Sequence, residues 1–262
     1  MKKCIILSIL AAGAICVFWF FYALQSYLVM SIYSGQHSKH SVMRKNGFQI
    51  EMPSSPGWYP FVMTYNADGF SGWSGINADM SIMYNFGAFD AATRTSLIYQ
   101  RQSDKYSSFY GAYAVKKNSG VFGFLDGDID LKEVTLAVRY DYTKLVMQNF
   151  GCNEQVFAVN DCCIEKDLDY AGSSGWTRID AFITANGAAH IYRENKTAYL
   201  QYGPPVQKPD EDFALISLYG RIYAKYFDEY DCTVMIYVIA PTADAVNSCD
   251  NAILRKTKIM GL

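Results

Sequence analysis

Histidine carries much of the acid–base and nucleophilic chemistry that proteins do near neutral pH, and this chain has three. His37 and His40 stand beside an apolar N-terminal run, so a Ser-His-Asp or Cys-His device in the rest of the chain would have to use His190. Its setting, Ala188-Ala189-His190-Ile191-Tyr192, follows the hairpin signal Asn186-Gly187 and reads as an ordinary strand. The Gly-Ser stretches Gly69-Phe70-Ser71-Gly72 and Gly172-Ser173-Ser174-Gly175 do not form a Gly-x-Ser-x-Gly elbow, and there is no phosphate loop.

Carboxylates and thiols come next. Asp126-Gly127-Asp128-Ile129-Asp130 opens like a calcium loop, but Leu131 stands where that loop needs Gly and Ala137 where it needs its bidentate Glu. A turn leading into a capped helix accounts for the same residues. Asp210-Glu211-Asp212 and Asp228-Glu229-Tyr230-Asp231 hold the neighbouring acids a glycosidase would need, yet sequence neighbours of this kind read as solvated. Of seven cysteines, Cys4 and Cys16 lie in the apolar run, and Cys152, Cys162, Cys163, Cys232 and Cys249 lie far along the chain. No Cys-x-x-Cys exists, and adjacent Cys162 and Cys163 on a strand would face opposite sides. No motif asks for a metal or cofactor. The net charge of −2 and pI near 5.9 argue against nucleic acid as a partner.

Aromatic residues make up 16% of the chain, and some recur in matched settings. Ser71-Gly72-Trp73-Ser74-Gly75-Ile76-Asn77-Ala78 is echoed by Ser174-Gly175-Trp176-Thr177-Arg178-Ile179-Asp180-Ala181 at five of eight positions. Tyr110-Gly111-Ala112-Tyr113-Ala114 has a counterpart in Tyr219-Gly220-Arg221-Ile222-Tyr223-Ala224. Trp73, Trp176, Tyr110 and Tyr219 are thus candidate binding aromatics, because exposed rings at equivalent places make a platform for sugars or apolar anchors. Buried, the same rings would be core.

The elements that must position these residues begin with Cys4 to Leu24, which contains no charged residue. At about 1.5 Å per residue it matches a hydrocarbon core of roughly 30 Å. It reads as an uncleaved signal anchor with Lys2 and Lys3 inside, which places the bulk outside the cytoplasm. Strands are expected at Gly47–Met52, Tyr59–Tyr65, Asp79–Phe86, Ser107–Lys116 and Val121–Leu125, then a helix from Leu131 to Phe150 capped by Asp130, with Glu133 completing a capping box. Further strands are expected at Gln155–Ile164, Trp176–Thr184, Ala188–Arg193, Thr197–Tyr202 and Cys232–Ile239. Spacing of Phe213, Ile216, Tyr219, Tyr223 and Phe227 favours a helix within Asp210–Tyr230, and a last helix runs from Ala243 to Ile259 behind Thr242.

The expected fold is α+β: an N-terminal transmembrane helix, then antiparallel sheets with helices packed on one face, in two tandem repeats. The divisions are 1–36 anchor and flank, 37–46 juxtamembrane linker, 47–151 first repeat and 152–262 second repeat. Gly47-Phe48-Gln49-Ile50-Glu51-Met52-Pro53 with Trp58, and Ala252-Ile253-Leu254-Arg255-Lys256-Thr257-Lys258-Ile259, resemble the edges of PsbP-like sandwich domains, including secreted bacterial members. That resemblance implies a non-catalytic domain, although the central region does not fit one copy. The expected function is a single-pass, membrane-anchored, extracytoplasmic binding module for an envelope protein or polymer. An envelope hydrolase and a cytoplasm-facing anchored domain are the alternatives.

Overall fold

The structure, a computed structural model, describes residues 2–20, 22–53, 62–85, 101–148, 151–187 and 213–262. Two helices come first, α1 (Lys2–Phe20) and α2 (Tyr22–Lys39). Among the described residues no helix is long and apolar enough to cross a membrane, and the expected span Cys4–Leu24 includes residue 21, which lies outside them. The expected linker, 37–46, comprises the end of α2, a turn and the single-turn helix α3 (Val42–Lys45), whose N-cap Ser41 accepts the Arg44 N–H at 3.2 Å.

The body is a mixed α+β fold on a seven-stranded antiparallel sheet. Its strands in chain order are β2 (Val62–Asn66), β3 (Ala78–Asn85), β4 (Phe109–Lys117), β7 (Phe157–Tyr170), β8 (Ser173–Asn186), β9 (Leu215–Phe227) and β10 (Cys232–Ala240), and in space they run β2-β3-β4-β10-β9-β8-β7. Two meanders meet in the middle, because β4 pairs with β10. A two-stranded sheet joins β1 (Phe48–Glu51) to β11 (Lys258–Gly261), and the small hairpin β5 (Phe124–Leu125) and β6 (Asp128–Ile129) precedes α5 (Leu131–Tyr140). The short α4 (Phe70–Ser74) lies between β2 and β3, and α6 (Ala243–Ala252) follows β10.

Each face of the sheet has its own core. Val134 and Ala137 of α5 pack with Ile82, Tyr113, Ile179, Ile183, Leu218 and Ile222. Ala245, Val246 and Cys249 of α6 pack with Ala112, Trp176, Tyr223, Val234 and Ile236, together with α3 and β1. Helices therefore cover both faces, whereas the sequence reading expected them on one. Each sheet side chain is committed to one helix or the other by the alternation of the strand.

Two expected helices also change. Asp210–Tyr230 contains strand β9, with Leu218, Ile222 and Ala224 on one face and Tyr223 and Phe227 on the other. Because its apolar residues are divided between two faces, Ile216, Tyr219, Tyr223 and Phe227 fall at helical spacing although they stand on a strand. The last helix ends at Ala252; a 3-10 turn (Leu254–Lys256) and β11 follow, held by the buried Ile253 and Leu254. The echoed segments take different local structures, since Trp73 lies on α4 and Trp176 in β8. The expected strands Ala188–Arg193 and Thr197–Tyr202, and Trp58 of the resembling edge, lie outside the described residues.

Candidate functional site

On the α5 face the organising group is Asp141. Asp130 caps α5 as expected, its carboxylate accepting from the N–H groups of Lys132 and Glu133. Glu133 does not close the box; its side chain accepts instead from the Gly123 N–H at 2.8 Å and from Lys117 at 2.5 Å. This fixes the helix so that the stripe Val134, Ala137, Val138 and Asp141 meets the sheet. Asp141 opens a π-helical stretch, Asp141–Met147, a local widening found disproportionately at functional sites.

The carboxylate is buried and receives three phenol hydroxyls. Tyr84 of β3 donates to Oδ1, while Tyr113 of β4 and Tyr237 of β10 donate to Oδ2 at 2.7 Å and 3.3 Å. The rings of Tyr113 and Tyr237 stack with centroids 4.5 Å apart. Space for the group comes from Gly111, which lies in register between Tyr84 and Tyr237. A Cβ there would collide with the Met83 carbonyl and approach the Tyr237 ring at 3.2 Å. Burial raises the Asp141 carboxyl to about 6 against the three hydrogen bonds, which favour the ionised form. Burial also holds the Tyr84, Tyr113 and Tyr237 phenols well above their ordinary value, so they stay donors.

Beside this cage, between α5 and β7–β9, lies an apolar cavity of about 120 Å3. Its floor is a row of small residues paired across three strands, Cys162, Ala181 and Gly220. Val134 and Val138 roof it, Ile179, Ile183 and Ile222 wall it, and the exposed Val159 of the outer strand β7 stands at its border.

The α6 face repeats the theme with a charge added. Asp250 of α6 is buried and accepts from Tyr170 at 2.6 Å, Tyr223 at 2.8 Å and Arg221 at 2.8 Å. Arg221 also donates to Asp180 at 2.6 Å, and Arg178 bridges Asp180 at 3.0 Å and Glu165 at 2.6 Å. Burial and the bond to Asp250 push the Tyr223 phenol up to about 12. At the start of α6 this network borders an open cleft of about 280 Å3, lined by Asp161, Cys163, Phe182, Tyr219, Arg221 and Asn247 among others. Phe182 and Tyr219 meet edge to face, centroids 5.4 Å apart, with 36% and 41% of their surface exposed.

The candidate aromatics thus separate. Trp176 is fully buried, its indole N–H donating to the Ser173 hydroxyl at 3.0 Å, and Tyr110 is buried in the same core. Trp73 reaches the surface against Tyr140, and Tyr219 reaches it at the α6 cleft. Trp73 belongs to the α5 side and Tyr219 to the other, so no platform unites them. Their echoed neighbours have another role, since Tyr113 and Tyr223 each end on a helix carboxylate. Cys162 packs into the α5-side core and Cys163 is exposed, on opposite sides as expected. His190 and Asp210-Glu211-Asp212 lie outside the described residues, and among those described no group of acids, cysteines and histidines is placed to hold a metal.

Fold and site together define a two-sided antiparallel-sheet domain with one caged carboxylate on each face. Compared with protein-family models, with curated proteins and with solved structures, the chain matches none.

Proposed function

We propose that the chain is a membrane-anchored, non-catalytic binding module that receives its ligand in the α6-side cleft. The observation that carries the reading is the exposed Phe182–Tyr219 pair at the mouth of that cleft, beside Arg221 and Asp180. Flat amphipathic rings next to fixed charges are the usual composition of a protein or polymer contact surface. Both Asp180 oxygens accept from arginines, which leaves it poorly placed to donate a proton as a hydrolase acid would.

Support for the anchor comes from α1. Ile5, Ile6, Leu7, Ile9, Leu10 and Ile15 are all more than half exposed, at successive positions around the helix. A helix apolar on every side needs an apolar medium. We read the domain as extracytoplasmic and the sequence echo as a tandem duplication. The shared Tyr113–Asp141 and Tyr223–Asp250 contacts favour duplication; the unlike settings of Trp73 and Trp176 weigh against it.

Two experiments test the proposal. Protease added to intact cells should remove a C-terminal tag without lysis; digestion only after lysis would turn the domain toward the cytoplasm. A photo-cross-linking residue at position 219 should give a discrete adduct that Phe182→Ala weakens, and the same residue at position 73 should not. Equal adducts from both positions would sink the cleft.

A further inference from the structure

The α5-side cavity lies across the sheet from the α6 cleft. We propose that it binds a small, neutral, apolar molecule of about single-ring size, entering from the β7 edge between Val138 and Val159.

Size sets the class. A dry apolar cavity of about 150 Å3 is enough to hold benzene, and this one measures about 120 Å3 and opens on one side. An acyl chain of lipid length is too large for the enclosed part. Neutrality follows from the walls. Val134, Val138, Ile179, Ile183 and Ile222 offer no polar group, Thr135 is the exception on the roof, Arg221, which also lines the space, is paired with Asp180 and Asp250, and both oxygens of Asp141 already accept tyrosine hydroxyls. A charged ligand would lose its hydration without a partner.

The void is built into the sheet. Cys162, Ala181 and Gly220 stand in one register row under α5, where larger residues at the same positions would fill the space as Ile179 and Ile222 do one pair along. A Cβ at Gly220 would come within 2.8 Å of the Ile183 side chain, so that glycine lets Ile183 lean over the strand.

Adjacent cysteines supply the test. Cys162 lines the cavity, and Cys163 is exposed on the opposite face. The full-length protein in detergent is treated with iodoacetamide with and without toluene or indole, and alkylation is read separately in Cys163→Ser and Cys162→Ser variants. Toluene is expected to slow Cys162 alkylation several-fold, leave Cys163 unchanged and raise the melting temperature. Ala181→Leu, which fills the floor, should remove both effects; Val138→Phe, which narrows the entrance, serves where Ala181→Leu does not fold. Equal rates at Cys162 with and without either molecule would overturn the site, as would equal protection of both thiols or protection that survives filling. None of these outcomes depends on the partner sought at position 219.

Discussion

Asp141 gives the domain an unusual response to acid. Its carboxyl titrates at about 6 in the folded chain against an ordinary 3.8, so the folded state holds that proton more tightly than the unfolded state. Its contribution to stability is therefore complete below pH about 4 and is lost as the pH rises through about 6, a difference of about 3 kcal/mol. Urea unfolding from pH 4 to 7.5 should show this against Asp141→Asn, in which that component is absent; parallel curves for the two proteins would refute it. Tyr113→Phe and Tyr84→Phe should each cost about 1–3 kcal/mol at neutral pH and move the carboxyl still higher, with Tyr237→Phe, bonded at 3.3 Å, costing least. On the other face, Asp250→Ala leaves two phenols without their acceptor while Arg221 keeps Asp180, and should cost about 1–3 kcal/mol by the same measurement. Neither acid was singled out from the sequence, although a signal was there: Asp141 falls seven residues after Val134 and Asp250 four after Val246, on apolar stripes. Their partners gave none. Tyrosines from three strands converge only once the strand order is known.

Among the elements, those with clear β-branched or alternating runs between turn residues, or with a capping residue, read most clearly. The strands over Gly47–Met52 and Asp79–Phe86 and the cap at Asp130 are all present, with boundaries moved by a residue or two and residue 86 outside the described set. β9 was misread as a helix, its tyrosines and isoleucines serving two cores at once, and the last helix was read seven residues too long. Two substitutions probe how strictly elements hold the cage. Asp130→Ala should cost about 1 kcal/mol in thermal unfolding, because two N–H groups at the start of α5 lose their acceptor. Gly111→Ala is a far smaller chemical change with a larger effect: the methyl group meets the Met83 carbonyl, and the expected outcome is an insoluble chain, or one whose near-ultraviolet tyrosine signal is lost.

At the scale of the molecule, the two ends of the domain are fastened together. β1 and β11 pair along four residues, and the Leu262 N–H reaches the Gly47 carbonyl at 2.8 Å. Deleting residues 258–262 should therefore lower the melting temperature by several degrees although no residue of the large sheet is touched, and an unchanged melt would show the closure to be idle. The strand order could not be read from sequence, since joining β4 to β10 is a choice made across more than a hundred residues. A last consequence concerns the outer strand β2. Ser34 and His37 of α2 accept the Thr64 and Asn66 N–H groups at 2.9 Å and 3.2 Å, so the N-terminal helix occupies bonds that a neighbouring strand would otherwise take. The helix is thus a stopper for the edge of the sheet. A chain begun near residue 40 would bare those amides and offer itself for pairing with its own copies, so that solubility is lost with the cut.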